Sequence, residues 1–416
     1  MKNDDPFYLR DPWKYDTRKK RFVRKDKDVG FDTKALHAGY HPLENQNSFR
    51  SFVPPLVQSV TYPYETFEKV PNPVYGRTAT PTTSLLESRL AALEGGEACI
   101  TAASGSQALF NLIFTIARPG DNIVASLNIF GEGYKQAAAI LPERCRVQCR
   151  FVDDPANPKS WDRAIDSRTK LVWIETPSNP CLFIADIESI SEAAHAKGVP
   201  VLVDNTIATA ALQKPLELGA DIVLLSISKF LSGNGSLLGG AVVGPKDLVE
   251  DIRWNTTEFV GAVLPPMEAW MTLQYLETLS LRMIKHSENA REVASFLQSH
   301  SAVRLLHYPG LPDHPQFELA NRQMTDQGGL LSFVVEKGKE GAAKVMNSLK
   351  MIVHAVTFGT SRSICMHPAT ITHGHMSAEE RKAAGIDDGL IRLSVGLENP
   401  QDIIADLEQA LSSLCI

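Results

Sequence analysis

Residues 221–240 read DIVLLSISKFLSGNGSLLGG. The apolar run 222–225 is typical of a buried strand, and it leads through Ser226 and Ser228 to Lys229. A loop with glycines at positions 233, 235, 239 and 240 follows. A lysine at a strand end, among hydroxyls, is suited to forming an imine, because burial or nearby cations can make its amine neutral. A surface lysine after a core strand is the alternative that this segment alone leaves open.

Strands and helices alternate before this segment. The pattern predicts strands at 98–101, 122–125, 170–174 and 201–203, with helices from Thr82, from about Gly105 through Ala117, and at 187–197. Such alternation predicts an α/β fold with a mainly parallel central sheet. Ligands of such folds bind beyond the carboxyl ends of the strands, where Asn179, Asp204 and Lys229 are expected to converge.

Two short motifs are suited to holding a phosphate. Ser104-Gly105-Ser106 lies between a predicted strand and a predicted helix, so that backbone N–H groups face an anion. A plain strand–helix turn without a ligand is the alternative. In Tyr75-Gly76-Arg77 a phenol and a guanidinium stand two residues apart, and an extended chain would place both on one side as a clamp.

The alternation stops near residues 250–265, and residues 266–300 are predicted to be largely helical. Strands near 330–335 and 391–395 and a helix from Pro400 predict a second domain. We therefore expect an N-terminal arm and subunit-contact segment at 1–75, a large domain at 76–262 and a C-terminal domain at 263–416. Arg392 lies inside a predicted buried strand, so it should pair with an internal carboxylate or bind an anionic ligand.

Composition limits the classes of function. With 22% charged residues and a net charge of −6, the chain has no general attraction for nucleic acid or anionic membranes, and no apolar run is long enough to span a bilayer. For these reasons we expect no nucleic-acid or membrane partner. Six scattered cysteines indicate free thiols, so we expect a cytoplasmic protein. The basic run at 18–27 predicts a solvated arm, draped on a partner subunit, with a nucleic-acid contact as the alternative. The histidines at 367, 373 and 375 lack an acidic or cysteine ligand pattern, and we expect no metal.

The predicted edge matches the requirements of pyridoxal 5′-phosphate. Lys229 would form an imine with its aldehyde, Asp204 would keep its ring nitrogen protonated, and Arg392 would pair with the α-carboxylate of an amino-acid substrate. The phosphate would be held by the N–H groups of Gly105 and Ser106 and by the hydroxyls of Ser226 and Ser228.

From Phe31 to the end, the sequence resembles the Cys/Met-metabolism (transsulfuration) enzymes of PLP fold type I. The resemblance is carried by residues 75–77, 104–105, 175–180, 203–206, 226–229, 367–369 with 372–373, and 392–398. It implies an aspartate-aminotransferase-like fold with a smaller C-terminal α+β domain. It also implies a homotetramer, built as a dimer of dimers, in which Tyr75 and Arg77 reach into the neighbouring subunit's site to bind the phosphate.

The resemblance also assigns roles near the substrate. Asn179 would contact the cofactor's phenolic oxygen or the substrate carboxylate, and Thr357 stands where the family usually has a serine whose backbone meets that carboxylate. Phe130 would stack on the cofactor ring in place of the usual tyrosine. Two further departures are Gly-Asn-Gly at 233–235, where a histidine usually follows the glycine, and Glu132, which brings an extra carboxylate.

The implied activity is γ-elimination or γ-replacement on a homoserine- or homocysteine-derived amino acid. Lys229 would move the protons at Cα and Cβ, and Tyr75 is the candidate acid/base for the leaving group. β-Elimination on cystathionine or cysteine conjugates is the alternative within this chemistry. A scaffold that kept the fold but lost catalysis is the alternative from another class.

Overall fold

The computed structural model describes residues 29–43, 50–69 and 73–414. The basic run at 18–27 lies outside these residues. Within them, the strands of the first sheet are β1 (Ala98–Ala102), β2 (Asn122–Ala125), β3 (Gln148–Phe151), β4 (Thr169–Glu175), β5 (Val201–Asp204), β6 (Ile222–Ser226) and β7 (Gly240–Gly244). Those of the second sheet are β8 (Val303–His307), β9 (Leu330–Val335), β10 (Val353–His354), β11 (Ile364–Met366) and β12 (Leu390–Ser394).

Helices cover both sheets. They are α1 (Phe31–His37), α2 (Pro81–Glu94), α3 (Gly105–Ile116), α4 (Gly131–Lys135), α5 (Pro158–Ala164), α6 (Ile187–His195), α7 (Thr209–Leu212), α8 (Lys246–Ile252), α9 (Glu258–Val260), α10 (Pro266–Leu276), α11 (Leu279–Ser299), α12 (Phe317–Gln323), α13 (Gly338–Ser348), α14 (Ala378–Ala383) and α15 (Pro400–Leu411). Tighter or wider helical turns occur at Gln136–Cys145, Pro215–Leu218, Ile227–Leu231, Arg253–Thr257, Pro368–Thr370 and Ser412–Leu414.

The first sheet has the strand order β1-β7-β6-β5-β4-β2-β3. Strands β3, β2, β4, β5 and β6 run parallel, and β7 is antiparallel to both of its neighbours, β6 and β1. The fold is therefore α/β with a mainly parallel central sheet, as the alternation predicts. Strands β2, β4, β5 and β6 are buried, which explains their nearly continuous apolar runs, whereas β3 at the edge is partly exposed and polar.

Strand β6 shows how the core is divided. Val223 and Leu225 pack into one apolar cluster, whereas Ile222 and Leu224 pack into another on the opposite face. The first cluster continues into the helices α10 and α11 and into the second sheet, so the two sheets share a core. Lys229, which follows β6, is thereby fixed relative to both sheets.

The second sheet has the order β10-β11-β12-β9-β8, with β12 between β9 and β11 in antiparallel pairing. This small sheet with its helices is the C-terminal α+β part that was expected. The predicted domain boundaries at 75/76 and 262/263 stay predictions, although the strands of the first sheet end at Gly244 and those of the second begin at Val303.

Two local expectations were wrong. The glycines at 239 and 240 were assigned to a loop, but Gly240 begins β7, the strand that lies between β6 and β1 and pairs with both. A Cβ at Gly240 would lie 2.2 Å from the carbonyl oxygen of Ser104, which is why only glycine fits this strand position. The chain is also not extended across residues 75–77, because it turns directly after Tyr75, whose carbonyl accepts hydrogen bonds from the backbone and side chain of Thr78.

Candidate active site

The strand register brings the polar strand ends together. Glu175 ends β4 and pairs with Asp204, which ends β5. Gly240 pairs with Ser226 on one side and with Ala102 on the other, so the end of β1 arrives at the same edge. The turn into α3 is pressed closely against β6, since a Cβ at Gly105 would lie 3.0 Å from the Cβ of Ser226.

These strand ends surround a cavity of about 240 Å³. It is lined by ten of the residues singled out from the sequence: Gly105, Ser106, Phe130, Asn179, Asp204, Ser226, Ser228, Lys229, Thr357 and Arg392. Tyr75 and Arg77 are not among the lining residues of their own chain. The lining residues come from both sheets, so the cavity lies where the two parts of the chain meet.

Lys229 lies in a kink of the backbone, with φ −105° and ψ −132°, within the turn Ile227–Leu231. Its Nζ donates a hydrogen bond to Oγ1 of Thr357 at 3.1 Å and lies 5.0 Å from the ring centroid of Phe358. Burial, and then the charge of Arg392, lower the pKa of Lys229 to about 8, while Glu132 acts in the opposite direction. A neutral amine is therefore accessible near neutral pH.

Arg392 projects from β12 and is only 3% exposed. Its Nη1 donates to Oδ1 of Asn179 at 3.0 Å and its Nη2 to the carbonyl oxygen of Thr357 at 2.5 Å. Its buried Nε has no hydrogen-bond partner in the described part of the chain. Burial lowers the pKa of Arg392 to about 10. No carboxylate forms an ion pair with it among residues 29–43, 50–69 and 73–414, so the alternative of an internal salt bridge is not realised. The remaining expectation is an anionic ligand.

Asp204 is buried, and its carboxylate accepts a hydrogen bond from the backbone N–H of Thr206 at 3.0 Å. Burial raises the pKa of Asp204 to about 6. A protonated nitrogen bound beside this carboxylate would favour the ionised form of Asp204, and the carboxylate would in turn favour the protonated form of the nitrogen. Asp204 is thus suited to pairing with a protonated ring nitrogen.

Glu175 is a residue to which sequence reasoning gave no role. Its Oε2 accepts from the N–H of Phe130 at 2.6 Å and its Oε1 from the N–H of Asn179 at 2.8 Å. Burial and then the nearby Asp204 raise the pKa of Glu175 well above its usual value. It thereby connects the two loops that carry the aromatic and amide side chains of the cavity. Its position at the end of a predicted strand was the signal in the sequence.

Phe130 directly precedes α4, and its ring meets Trp173 edge-on, with centroids 6.1 Å apart and an interplanar angle of 67°. Glu132, which the sequence analysis named as a departure from the family pattern, also lines the cavity. The remaining lining residues are Ser104, Glu175, Thr206, Ile207, Leu224, Leu238, Val356, Phe358 and Thr372. Most of these are apolar or small, and their sequence pattern does not distinguish them from core residues.

The predicted phosphate cradle has a formed helix start. Ser104 is the N-cap of α3, and its side chain accepts from the N–H of Gln107 at 3.1 Å. The hydroxyl of Ser228 is engaged by Gly239, donating to its carbonyl at 3.2 Å and accepting from its N–H at 3.0 Å. The cradle is completed by backbone N–H groups at the beginning of α3, which favour an anion.

Tyr75 and Arg77 lie together outside the cavity. The guanidinium carbon of Arg77 is 5.0 Å from the ring centroid of Tyr75, and Tyr75 is 41% exposed. The two side chains therefore form one exposed unit, although the backbone between them turns.

The histidines are engaged in local hydrogen bonds. His367 contacts the hydroxyl of Thr370 and the carbonyl of Asp388, and His373 contacts the hydroxyl of Thr372. Across the part of the chain that the structure describes, no group of three or more His, Cys, Asp or Glu side chains is placed to hold a metal ion. Nor does any described helix combine the length and apolar character that crossing a bilayer requires.

Comparison with known proteins identifies the family. The profile of the Cys/Met metabolism PLP-dependent enzymes matches residues 32–412. The chain belongs to this family. It is 40% identical over 399 residues to the L-methionine gamma-lyase of Treponema denticola, covering 93% of this chain and 98% of that relative.

Two further relatives extend this finding. The O-succinylhomoserine sulfhydrylase of Mycobacterium tuberculosis is 38% identical over 343 residues, covering 82% of this chain and 84% of the relative. The crystal structure of metB from Corynebacterium glutamicum superimposes with a TM-score of 0.88 at 34% identity, covering 94% of this chain and 99% of that one. This chain has the PLP fold type I, as the resemblance implied.

The cavity fits the cofactor of the family, pyridoxal 5′-phosphate. The cavity contains one amine, at Lys229, with a buried carboxylate at Asp204 and a glycine-lined helix start at Gly105. The unpartnered Nε of Arg392 marks a place for an anion beyond the cofactor. Each of these groups matches a part of the cofactor or of an amino-acid substrate, so this chain is a PLP-dependent enzyme of amino-acid metabolism.

Proposed function

We propose that this enzyme catalyses γ-elimination or γ-replacement on an amino acid derived from homoserine or homocysteine. The observation that carries the proposal is the convergence of Lys229, Asp204 and Arg392 on one cavity in a member of this family. The similarity to methionine gamma-lyases over most of the chain supports cleavage at Cγ. The alternative of β-elimination has no support from the comparisons.

The residues that would hold the cofactor follow from the cavity. Lys229 would bind its aldehyde carbon, Asp204 its ring nitrogen, and Phe130 the face of its ring. The N–H groups of Gly105 and Ser106, with the hydroxyl of Ser226, would bind its phosphate. The hydroxyl of Ser228 would join them by exchanging its hydrogen bond to the Gly239 carbonyl for one to the phosphate. When bound, pyridoxal phosphate supplies an electron sink for the negative charge that develops at the substrate Cα.

Arg392 orients the substrate by binding its α-carboxylate in two places, which Lys cannot do. Asn179 and the carbonyl of Thr357 each accept one hydrogen bond from the guanidinium, so its Nε–H stays available for a ligand. Fixing the carboxylate determines which bond at Cα stands perpendicular to the cofactor ring, and positioning of this kind lowers the barrier substantially.

Lys229 moves the protons. Because its pKa is lowered to about 8, its neutral amine can take the proton from Cα. Once it has passed that proton on, the amine can take a second proton from Cβ, and the electron pair of that bond is what expels the γ-substituent. Thr357 holds Nζ through Oγ1, which limits the positions from which the amine can act. Loss of the γ-substituent requires a further proton donor, and we assign that role to Tyr75.

The assignment of Tyr75 and Arg77 requires a second subunit. Both lie outside the cavity of their own chain, and large exposed apolar side chains such as Phe67, at 93% exposure, and Phe259, at 80%, offer area for a subunit contact. We therefore propose a homotetramer, a dimer of dimers in which the Tyr75–Arg77 unit of one subunit completes the site of its neighbour. A cytoplasmic location is supported by free thiols at five described cysteines: Cys99, Cys145, Cys149, Cys181 and Cys365.

Product analysis tests the reaction. The purified holoenzyme is incubated with L-methionine, L-homocysteine, O-acetyl-L-homoserine, O-succinyl-L-homoserine and L-cystathionine, with and without an added thiol. We expect 2-oxobutanoate and ammonia without the thiol, or a new thioether with it. Pyruvate as the main product from cystathionine, with no turnover of the other substrates, would refute γ-chemistry.

Complementation tests the shared site. Chains carrying Arg77→Ala and Lys229→Ala are produced separately and together. If Arg77 acts in the neighbouring site, a hybrid contains one site with both native residues and regains activity that neither variant has alone. Equal inactivity of the separate and the combined samples, with hybrids present, would place Arg77 in its own subunit's site.

A further inference from the structure

Glu132 is a charged residue of the cavity that the proposed reaction does not use. It is the second residue of α4, it lines the cavity, and its side chain is exposed to it. Its carboxylate makes no hydrogen bond or close ion pair within residues 29–43, 50–69 and 73–414.

The backbone that carries Glu132 is held in place. A Cβ on the preceding Gly131 would lie 1.9 Å from the carbonyl oxygen of Thr372, so α4 packs directly against the loop that follows β11. The N–H of Tyr134 donates to the carbonyl of Phe130 at 2.9 Å, which closes the first turn of the helix. The backbone of Glu132 is therefore fixed beside the cavity that this residue lines.

The charges around Glu132 determine what it can do. Lys229 and Arg392 are the only basic side chains among the lining residues, and the negative charge of Glu132 acts electrostatically on both of them. In the proposed reaction both cations are already engaged, Arg392 by the α-carboxylate and Lys229 by proton transfer. A second carboxylate on the substrate would thus meet Glu132 with no further cation among the described lining residues to pair with.

We propose that Glu132 is a specificity-determining residue, which favours substrates with a neutral or cationic γ-substituent and disfavours those with a distal carboxylate. This inference rests on the proposed γ-chemistry. The inference distinguishes the substrates for which two of the relatives above are named. Methionine is uncharged at its distal end, whereas O-succinylhomoserine carries a carboxylate there. The physical cause is like-charge repulsion in a cavity of reduced dielectric constant.

A pair of matched esters tests the inference. The kcat/KM ratio of O-acetyl-L-homoserine to O-succinyl-L-homoserine is measured for the wild-type holoenzyme and for Glu132→Gln, Glu132→Asp and the surface control Glu192→Gln. Two unit charges about 6 Å apart at an effective dielectric constant of about 40 change binding roughly tenfold. We expect Glu132→Gln to reduce the ratio by about that factor through faster succinyl-ester turnover, whereas Glu132→Asp and Glu192→Gln keep the wild-type ratio.

A binding measurement separates the inference from the reaction. L-Norleucine and L-2-aminoadipate have six carbons each and differ by a methyl group against a carboxylate at the distal end, and neither has a leaving group. Calorimetry of the holoenzyme should show that L-norleucine binds more tightly than L-2-aminoadipate. In Glu132→Gln the ratio of the two dissociation constants should be about tenfold smaller than in the wild type. Equal ratios in wild type and Glu132→Gln would overturn the inference. Absence of turnover with every ester would refute the proposed function, while this binding ratio would still decide the role of Glu132.

Discussion

Replacement of Arg392 by Gln should impair substrate capture without weakening the fold. Arg392 is buried, its Nη groups donate hydrogen bonds to Asn179 and Thr357, and its Nε has no partner among the described residues. No described carboxylate forms an ion pair with it, and the charge of Glu132 offsets its burial only in part, so the arginine costs stability in the absence of an anion. We expect Arg392→Gln to melt within a few degrees of the wild type, or above it.

The loss of activity can be estimated from the contacts that the guanidinium would make. Truncating one partner of a buried, hydrogen-bonded charge pair costs about 2–5 kcal/mol, and a bidentate Arg–carboxylate contact belongs to the upper part of this range. Because every 1.36 kcal/mol corresponds to a factor of ten in rate, kcat/KM should fall by about 10²- to 10⁴-fold. Most of this loss should appear in KM if the carboxylate contact is equally strong in the ground state and in the transition state.

The same substitution should change the pH profile. The positive charge of Arg392 disfavours the ammonium form of Lys229 and so lowers its pKa, which is about 8 in the wild type. Without that charge the pKa of Lys229 rises, and a higher pH is needed to produce the neutral amine. The acidic limb of the profile of kcat against pH should therefore move to higher pH.

Steady-state assays of 2-oxobutanoate formation from L-methionine, from pH 6 to pH 10, measure both effects. Arg322→Gln is the matched control, because Arg322 lies at the surface, where its ion pair with Asp186 contributes little. A variant Arg392→Gln with kcat/KM within threefold of the wild type, or with an unchanged profile, would refute this reasoning.

Three further substitutions test other parts of the structure. Lys229→Ala should abolish turnover and the absorption band of the bound cofactor, since Lys229 is the only amine among the lining residues; wild-type turnover would end the assignment. Phe130→Tyr should keep that band but change the relative turnover of the γ-substituted substrates, because it restores a phenol near the leaving group, and an unchanged preference would show that this position does not set it. Glu87→Gln should lower the free energy of unfolding by about 3 kcal/mol in urea denaturation, because it removes the carboxylate 2.8 Å from the buried Arg253 and leaves only Glu250, at 3.8 Å, as a counter-charge. The exposed Glu192→Gln should change it by less than about 0.5 kcal/mol.

The alternation of apolar runs with turn residues was sufficient to predict five of the seven strands of the central sheet, but not β3, whose residues are polar and partly exposed, or β7. Buried parallel strands require short β-branched and aliphatic runs, and the runs before Asp204 and Ser226 satisfy that requirement. Their last residues could therefore be placed at one edge. β7 escaped prediction because it begins with glycine, which is rare in strands and is required here by the close approach of Ser104.

The course of the chain at Tyr75 was predicted incorrectly for a related reason. Spacing alone suggested an extended clamp, but the carbonyl of Tyr75 is bonded to Thr78 and the chain turns. Local hydrogen bonds from a threonine hydroxyl compete with extended structure, and the pattern of side chains does not report them.

The sequence by itself determined which reactive groups this protein owns and that most of them stand at strand ends, because strand formation depends on local apolar patterns. Only the tertiary structure decided that Glu175 connects Phe130 with Asn179. It also decided that Arg392 has no carboxylate ion-pair partner among the described residues, and that the charge of Glu132 acts on Lys229 and Arg392. Phe130 and Glu175 are 45 positions apart in the chain, and Glu132 and Arg392 are 260 positions apart. Burial, unpaired hydrogen-bonding atoms and electrostatic proximity are properties of the packed chain, and no local pattern encodes them.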